Sequence, residues 1–163
     1  MGFRFGYLTT KQRKYWGLRR SGLTQADISR KMDVTRQTVN KTFNAIDSRV
    51  SNALLDAAHI NRIETSRVDH EKGYLLGRSP SLGMDVLITF SERNGIQVWY
   101  KGEGGCSDCT GRDSCKQKLL IEAEDRGIQL PEKAEEKEPS ELADFLFKKI
   151  LEGGEYGSLE RFR

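Results

Sequence analysis

Apolar positions in the first sixty residues recur at helical spacing. Thr9 or Thr10 opens a first helix with Tyr15, Trp16 and Leu18 as its apolar members, Trp16 as core, and Gly22 as the C-cap. Thr24 is an N-cap for a second helix running from about Gln25 to Lys31, with Ala26, Ile28 and Met32 on its apolar side. Asp33-Val34 supplies a turn, and Thr35 caps a third helix that begins near Arg36 and meets no stop signal for a long way. Phe43, Ile46, Val50, Ala53, Ala57 and Ile60 step by three and four along it. That spacing predicts an a/d seam through which two copies pair, with one kink near Ala58-His59. The alternative is that the stripe folds onto the chain's own later strands.

Beyond residue 60 the pattern changes. Residues 61–76 predict a highly charged helix ending at Gly77, and residues 78–83 are turn-rich. Residues 84–101 hold two runs of β-branched and aromatic residues about Asn94-Gly95, a hairpin signal. Val86, Ile88 and Phe90 alternate with Leu87 and Thr89, and Ile96, Val98 and Tyr100 with Gln97 and Trp99. An isolated hairpin is barely stable, so it needs a third strand, a helix or a partner subunit. A Gly-rich cysteine loop follows, then a helix over residues 116–126 ended by Gly127. Residues 130–139 are a charged linker, Ser140 caps a last amphipathic helix, and residues 153–163 form a frayed tail. Leu142, Phe145, Leu146, Ile150 and Leu151 of that helix require a partner surface. The predicted class is α+β. A three-helix helix-turn-helix with a long dimerising helix spans residues 1–60. A small module with a hairpin, a cysteine loop and a helix spans 61–130, and a linker with the C-terminal helix spans 131–163.

Charge is unevenly spread along the chain. Residues 1–50 carry eleven Lys/Arg against three Asp, a net of +8, whereas residues 106–163 carry ten against fourteen, a net of −4. A basic head and an acidic tail predict that one end faces a polyanion. The basic segment coincides with the second and third helices. Off the apolar stripe of the third helix stand Arg36, Gln37, Thr38, Asn40 and Lys41, all able to donate hydrogen bonds to base edges or phosphates. A helix-turn-helix places such a helix in the major groove. Arg36, Gln37 and Asn40 are the expected base contacts, with Thr24, Gln25 and Lys41 on phosphates and Thr35 and Thr38 beside them. A two-fold homodimer would present two such helices to a pseudo-palindromic site in double-stranded DNA.

Residues 8–46 resemble the helix-turn-helix of LuxR-type regulators and of sigma-factor region 4, and look most like the archaeal Tfx-type DNA-binding proteins. The resemblance rests on Leu8-Thr9, Gly22-Leu23-Thr24, Ile28, and Thr35 through Val39. It implies sequence-specific duplex DNA binding and a role in transcription. The cysteine loop and the last helix lie outside that family pattern.

The 163 residues include three cysteines, all within Cys106–Cys115. An odd cluster of this kind suits thiols kept reduced to hold a metal, not a secreted disulfide framework. Cys106-Ser-Asp-Cys109 is a C-x2-C knuckle, Cys115 adds a third thiolate, and Gly104 and Gly105 relax the backbone. Structural Zn2+ is the first reading, an iron–sulfur cluster the second, and free thiols or a reversible disulfide the third. His59, His70, Asp108, Asp113 or a group of a second subunit could supply a fourth ligand, though both histidines read better as surface residues. The N-terminus has no apolar core typical of a secretory signal, and Gly6 stands where a myristoylation motif wants Ser or Thr. No run is long enough for a membrane span, so a cytoplasmic protein is expected. The sequence carries no P-loop, G-x-S-x-G or H-E-x-x-H, and no enzyme is expected. The alternative to a metal- or redox-sensing regulator is a DNA-bound adaptor that recruits a protein through its C-terminal helix, docking on Phe145 and Leu146.

Overall fold

The computed structural model describes residues 7–102 and 105–152. The expected frayed tail at 153–163, the MGFRFG start and Gly104 lie outside the described residues. Three helices come first: α1 (Thr10–Arg20), α2 (Gln25–Met32) and α3 (Arg36–Ile60). Each is opened by a threonine whose hydroxyl accepts a backbone N–H, Thr9 from Gln12, Thr24 from Asp27 and Thr35 from Thr38. In α1 and α2 the third helical residue reciprocates, closing a capping box. α2 stops at Asp33, which takes the left-handed conformation at φ 51° and turns the chain into α3 within three residues.

The segment expected as a charged helix is instead a β-hairpin. β1 (Glu64–Asp69) and β2 (Tyr74–Ser79) pair antiparallel, then β3 (Met84–Ser91) and β4 (Gly95–Tyr100) extend the sheet in the order β1-β2-β3-β4. Asp69 closes the first turn by accepting the Lys72 N–H through its carboxylate. Gly77, read from sequence as a helix stop, sits inside β2 because the backbone of β1 comes too close for a side chain. A Cβ there would lie 2.5 Å from Ile63 Cγ2 and 2.6 Å from the Glu64 carbonyl oxygen. β1 is an edge strand with few apolar residues, so its alternation is diluted and its charges mimic a solvated helix. The β3–β4 hairpin stands where the sequence placed it, with Gly95 at φ 64° completing the turn. α4 (Arg112–Asp125) begins earlier than expected and includes Cys115, and α5 (Pro139–Leu151) is capped by Glu138, two residues ahead of the expected Ser140. Pro139 takes the first helical position, where its missing N–H costs nothing.

The sheet lies between two helical layers, and its alternation divides the core. Leu75, Val86, Ile88 and Phe90 point toward α1, α2 and α3, where they join Trp16, Ile28, Phe43, Ile46 and Val50. Tyr74 and Leu87 point the other way, onto Leu119 and Ala123 of α4 and Leu142, Leu146 and Ile150 of α5. The first core runs without interruption across residue 60.

The stripe predicted as a dimer seam is therefore internal. Phe43, Ile46, Val50, Ala53 and Ala57 are buried within the chain, and of the six only Ile60 is exposed, at 77%. Strands β2 and β3 supply the apolar surface that the pattern along α3 demands, so no second copy is needed to cover it. α3 also continues to Ile60 without interruption at Ala58-His59. Of the residues expected to need a partner surface on the last helix, Leu142, Leu146 and Ile150 are buried against the sheet with Leu151 packed beside them, whereas Phe145 is half-buried outside that cluster. Leu146 is thus not a docking site for another protein. The expected linker contributes Leu130 and Ala134 to this second core.

Val50→Asp is accordingly expected to destabilise the fold and not to release a folded monomer. A carboxylate there would be desolvated without a partner, at about 3–5 kcal/mol, and thermal unfolding should show a large drop in midpoint. Ile60→Asp, at the exposed end of α3, should leave the midpoint nearly unchanged. A well-folded Val50→Asp monomer of normal stability would contradict this packing.

Candidate nucleic-acid interface and cysteine loop

Burying one face of α3 fixes which residues its other face presents. Arg36, Gln37, Asn40 and Lys41 are exposed, and none of their side chains has a hydrogen-bond or ion-pair partner among the described residues. Val39 and Phe43 anchor the same turns in the core. The four polar side chains thus stand in solvent on a helix whose opposite face is held in the core. Thr35 and Thr38 differ, since their hydroxyls bond each other at 2.9 Å while Thr35 also accepts the Thr38 N–H. Their first role is to fix the start of α3. Thr24 is similarly engaged, its hydroxyl donating to Asp27 Oδ2 at 2.5 Å. That hydroxyl and then Arg30 hold the Asp27 carboxyl below its ordinary range. Gln25 is exposed at the first position of α2.

One exposed side chain beside this patch was not expected from sequence. Asn44 lies one turn beyond Asn40 on α3. The i, i+4 step from Asn40 to Asn44 was the available signal. The helix N-terminus itself adds unpaired backbone N–H groups and a partial positive charge at the same tip. Arginines deeper in the head are not available in this way. Arg19 makes a two-pronged contact with Asp47 at 2.6 and 3.3 Å and stacks over Phe43 at 4.6 Å.

The cysteine loop lies at the opposite layer. The Cys109 N–H donates to the Cys106 carbonyl at 3.2 Å, the Arg112 N–H to the Cys109 carbonyl, and the Cys115 N–H to the Gly111 carbonyl. The knuckle thus forms a turn leading directly into α4, with Cys115 in its opening turns. The Cys115 thiol is pushed above its ordinary value by burial first, then by negative charge on Cys106 and Cys109. The three sulfurs share an electrostatic neighbourhood, but among the described residues no group of three or more His, Cys, Asp or Glu side chains is gathered as a metal centre. Neither histidine is brought to the loop. His70 Nε2 lies 3.9 Å from Asp47 on the α3 side of the sheet, and His59 is exposed at the end of α3. Asp108 and Asp113 remain beside the cysteines as exposed oxygen donors. Arg112, held by Glu138 through bonds of 3.0 and 2.6 Å, pins the start of α4 to the start of α5.

In reduced, metal-free protein, iodoacetamide is expected to alkylate exposed Cys109 before Cys115. The thiolate is the reactive form, and the raised Cys115 value leaves less of it at neutral pH. Raising the pH through the alkaline range should speed Cys115 labelling. Peptide mapping after timed labelling reads this out, and Cys115 reacting first at pH 7 would contradict the arrangement.

No family model matches this chain, and no curated protein or solved structure matches it.

Proposed function

We propose that this chain is a cytoplasmic regulator of transcription that binds duplex DNA sequence-specifically. In this reading α2 and α3 form a helix-turn-helix of the kind found in Tfx-type and LuxR-type regulators, and the tip of α3 enters the major groove. One observation carries the reading. Arg36, Gln37, Asn40 and Lys41 project unpaired from a helix whose opposite face is locked into the core. Arg36, Gln37 and Asn40 contact bases, Lys41 and Gln25 contact phosphates, and Asn44 extends the patch. Thr24, Thr35 and Thr38 chiefly hold the two helix starts in place. The protein acts as a homodimer, by a contact other than the α3 stripe, so that two tips address two half-sites.

The cysteine loop completes the proposal as a metal site built from Cys106, Cys109 and Cys115, with Zn2+ as the first candidate and an iron–sulfur cluster as the alternative. Three thiolates at this spacing suit a soft or borderline ion, and Asp108 or Asp113 is near enough in sequence to contribute a fourth donor.

Arg36→Ala is expected to weaken binding to the preferred sequence by about 1–3 kcal/mol and to relax one base preference. Lys41→Ala should weaken all sequences alike and reduce the salt slope by about one. Fluorescence anisotropy on specific and random duplexes across a salt series separates the two. Equal losses on both duplexes for Arg36→Ala would remove the base-contact assignment.

Metal binding should weaken as pH falls, because the ligating thiols must lose their protons. Each single Cys→Ser change should remove most of the bound metal, and the three losses should not add, since they describe one site. Metal content after purification under reducing conditions measures this. Full occupancy in Cys115→Ser would exclude that residue from the site.

A further inference from the structure

The C-terminal ends of α1, α4 and α5 and the β1–β2 turn line an open cleft of about 380 Å³. Arg19, Arg20, Lys72, Arg126 and Lys149 line it, against only two carboxylates, Glu71 and Glu152. Part of this positive charge has a structural use. Arg126 donates to Glu122 Oε1 at 2.7 Å and to the carbonyls of Lys72, Gly73 and Phe90, and so ties α4 to the sheet. Arg19 is matched by Asp47 and Lys149 by Glu152.

Among the described residues Arg20 and Lys72 have no ion-pair partner, and Glu71 on the same wall has none either. Arg20 donates to the Lys72 carbonyl at 2.7 Å, and the Lys72 ammonium donates to the Glu152 carbonyl at 2.8 Å. Neither has a carboxylate in contact among the described residues, and a neutral carbonyl satisfies a hydrogen bond without cancelling a charge. Arg20 is the more exacting of the two. It lies over the Trp16 ring at 4.5 Å, and its Nε is buried with no hydrogen-bond partner. Its guanidinium shares the Lys72 carbonyl with that of Arg126, which puts two like charges on one oxygen. Burial first, and Arg126 second, push the Arg20 value down to about 9, with Glu122 and Asp125 offsetting part of the shift. It is therefore still charged at neutral pH. Glu122 and Asp125 offset only part of that cost, so an anion arriving beside Arg20 would be favoured.

We infer that this cleft is a binding site for a small organic molecule bearing a doubly charged oxyanion, of the phosphate type, held by Arg20 and Lys72. Nη2 of Arg20 already bonds the Lys72 carbonyl and Nε is buried, which leaves its Nη1 edge for an oxyanion, and the Lys72 ammonium adds a mobile donor. The volume exceeds that of a bare phosphate and falls at the low end of small-molecule sites. Ile128 and Ile150 on the wall provide apolar surface for the remainder of the ligand. The inference does not depend on DNA binding, because the cleft is built from α1, α4, α5 and the β1–β2 turn and not from the tip of α3.

The probes are inorganic phosphate and pyrophosphate, added to the full chain with sodium chloride adjusted to constant ionic strength. Thermal denaturation should show a saturable rise in midpoint, and calorimetric titration a single site with a dissociation constant in the millimolar range or tighter. Arg20→Gln and Lys72→Gln should each weaken binding at least tenfold, while Arg36→Ala and Lys41→Ala should leave it unchanged. Should Arg20→Gln fail to fold, Lys72→Gln carries the test, since that side chain is only half-buried and bonds a single carbonyl. The inference is overturned if chloride alone reproduces the rise, if Lys72→Gln binds as tightly as the parent, or if the α3 variants abolish binding. The last result would place the anion on the nucleic-acid surface.

Discussion

Everything in this chain is arranged around the burial of one face of α3. The 25 residues of α3 serve a structural purpose along the whole length of the helix. The N-terminal turns pack Val39 and Phe43 beneath α1 and α2, and the later turns carry Val50, Leu54 and Ala57 into the core shared with the sheet. Because a helix rotates about 100° per residue, fixing that face fixes the opposite one. Arg36, Gln37, Asn40 and Lys41 point outward because Val39, Phe43 and Ile46 cannot. In the proposed reading, a surface supported in this way would lose little side-chain and backbone freedom on engaging DNA, beyond the rotamers of its own tips.

The same helix makes the head and the sheet one packed unit. On the far side of the sheet, α4 and α5 cover Tyr74 and Leu87, and Arg112–Glu138 and Arg126–Glu122 fasten that layer at its two ends. Glu122 is wholly buried and Arg126 only 6% exposed, so this pair survives through geometry, with Arg126 also satisfying three carbonyls. The Lys72 carbonyl accepts from both Arg20 of α1 and Arg126 of α4. The front and back helical layers thus meet at one backbone atom. No helix among the described residues is long and apolar enough to cross a membrane.

How much of this could be read in advance follows from where each signal resides. The threonine caps at Thr9, Thr24 and Thr35 are local, and the three N-terminal helices followed from them directly. The β3–β4 hairpin was legible for the same reason, through Gly95 and strict alternation about it. β1 and β2 were not, because Glu64–Asp69 is an edge strand with one apolar residue, Val68, and Gly77 marks close backbone approach and not a helix stop. The α3 stripe was recognised but assigned to a second copy. Periodicity reveals that a face must be covered, not by what, and the missing cover was the undetected sheet face. The outward residues of α3 follow from the same stripe, so their exposure was legible. The cleft at Arg20 and Lys72 was not, since it joins residues fifty-two positions apart through the main chain.

The central claim is that the tip of α3 reads duplex sequence in two copies. Selection of bound duplexes from a random pool by the full chain, at a salt concentration that suppresses non-specific binding, tests this most directly. The expected result is enrichment of one motif with two inverted half-sites about one or more helical turns apart, with selected duplexes bound at least a thousandfold more tightly than the starting pool. A pool that emerges unenriched, with selected and random duplexes bound equally and with the same salt slope, would contradict the account.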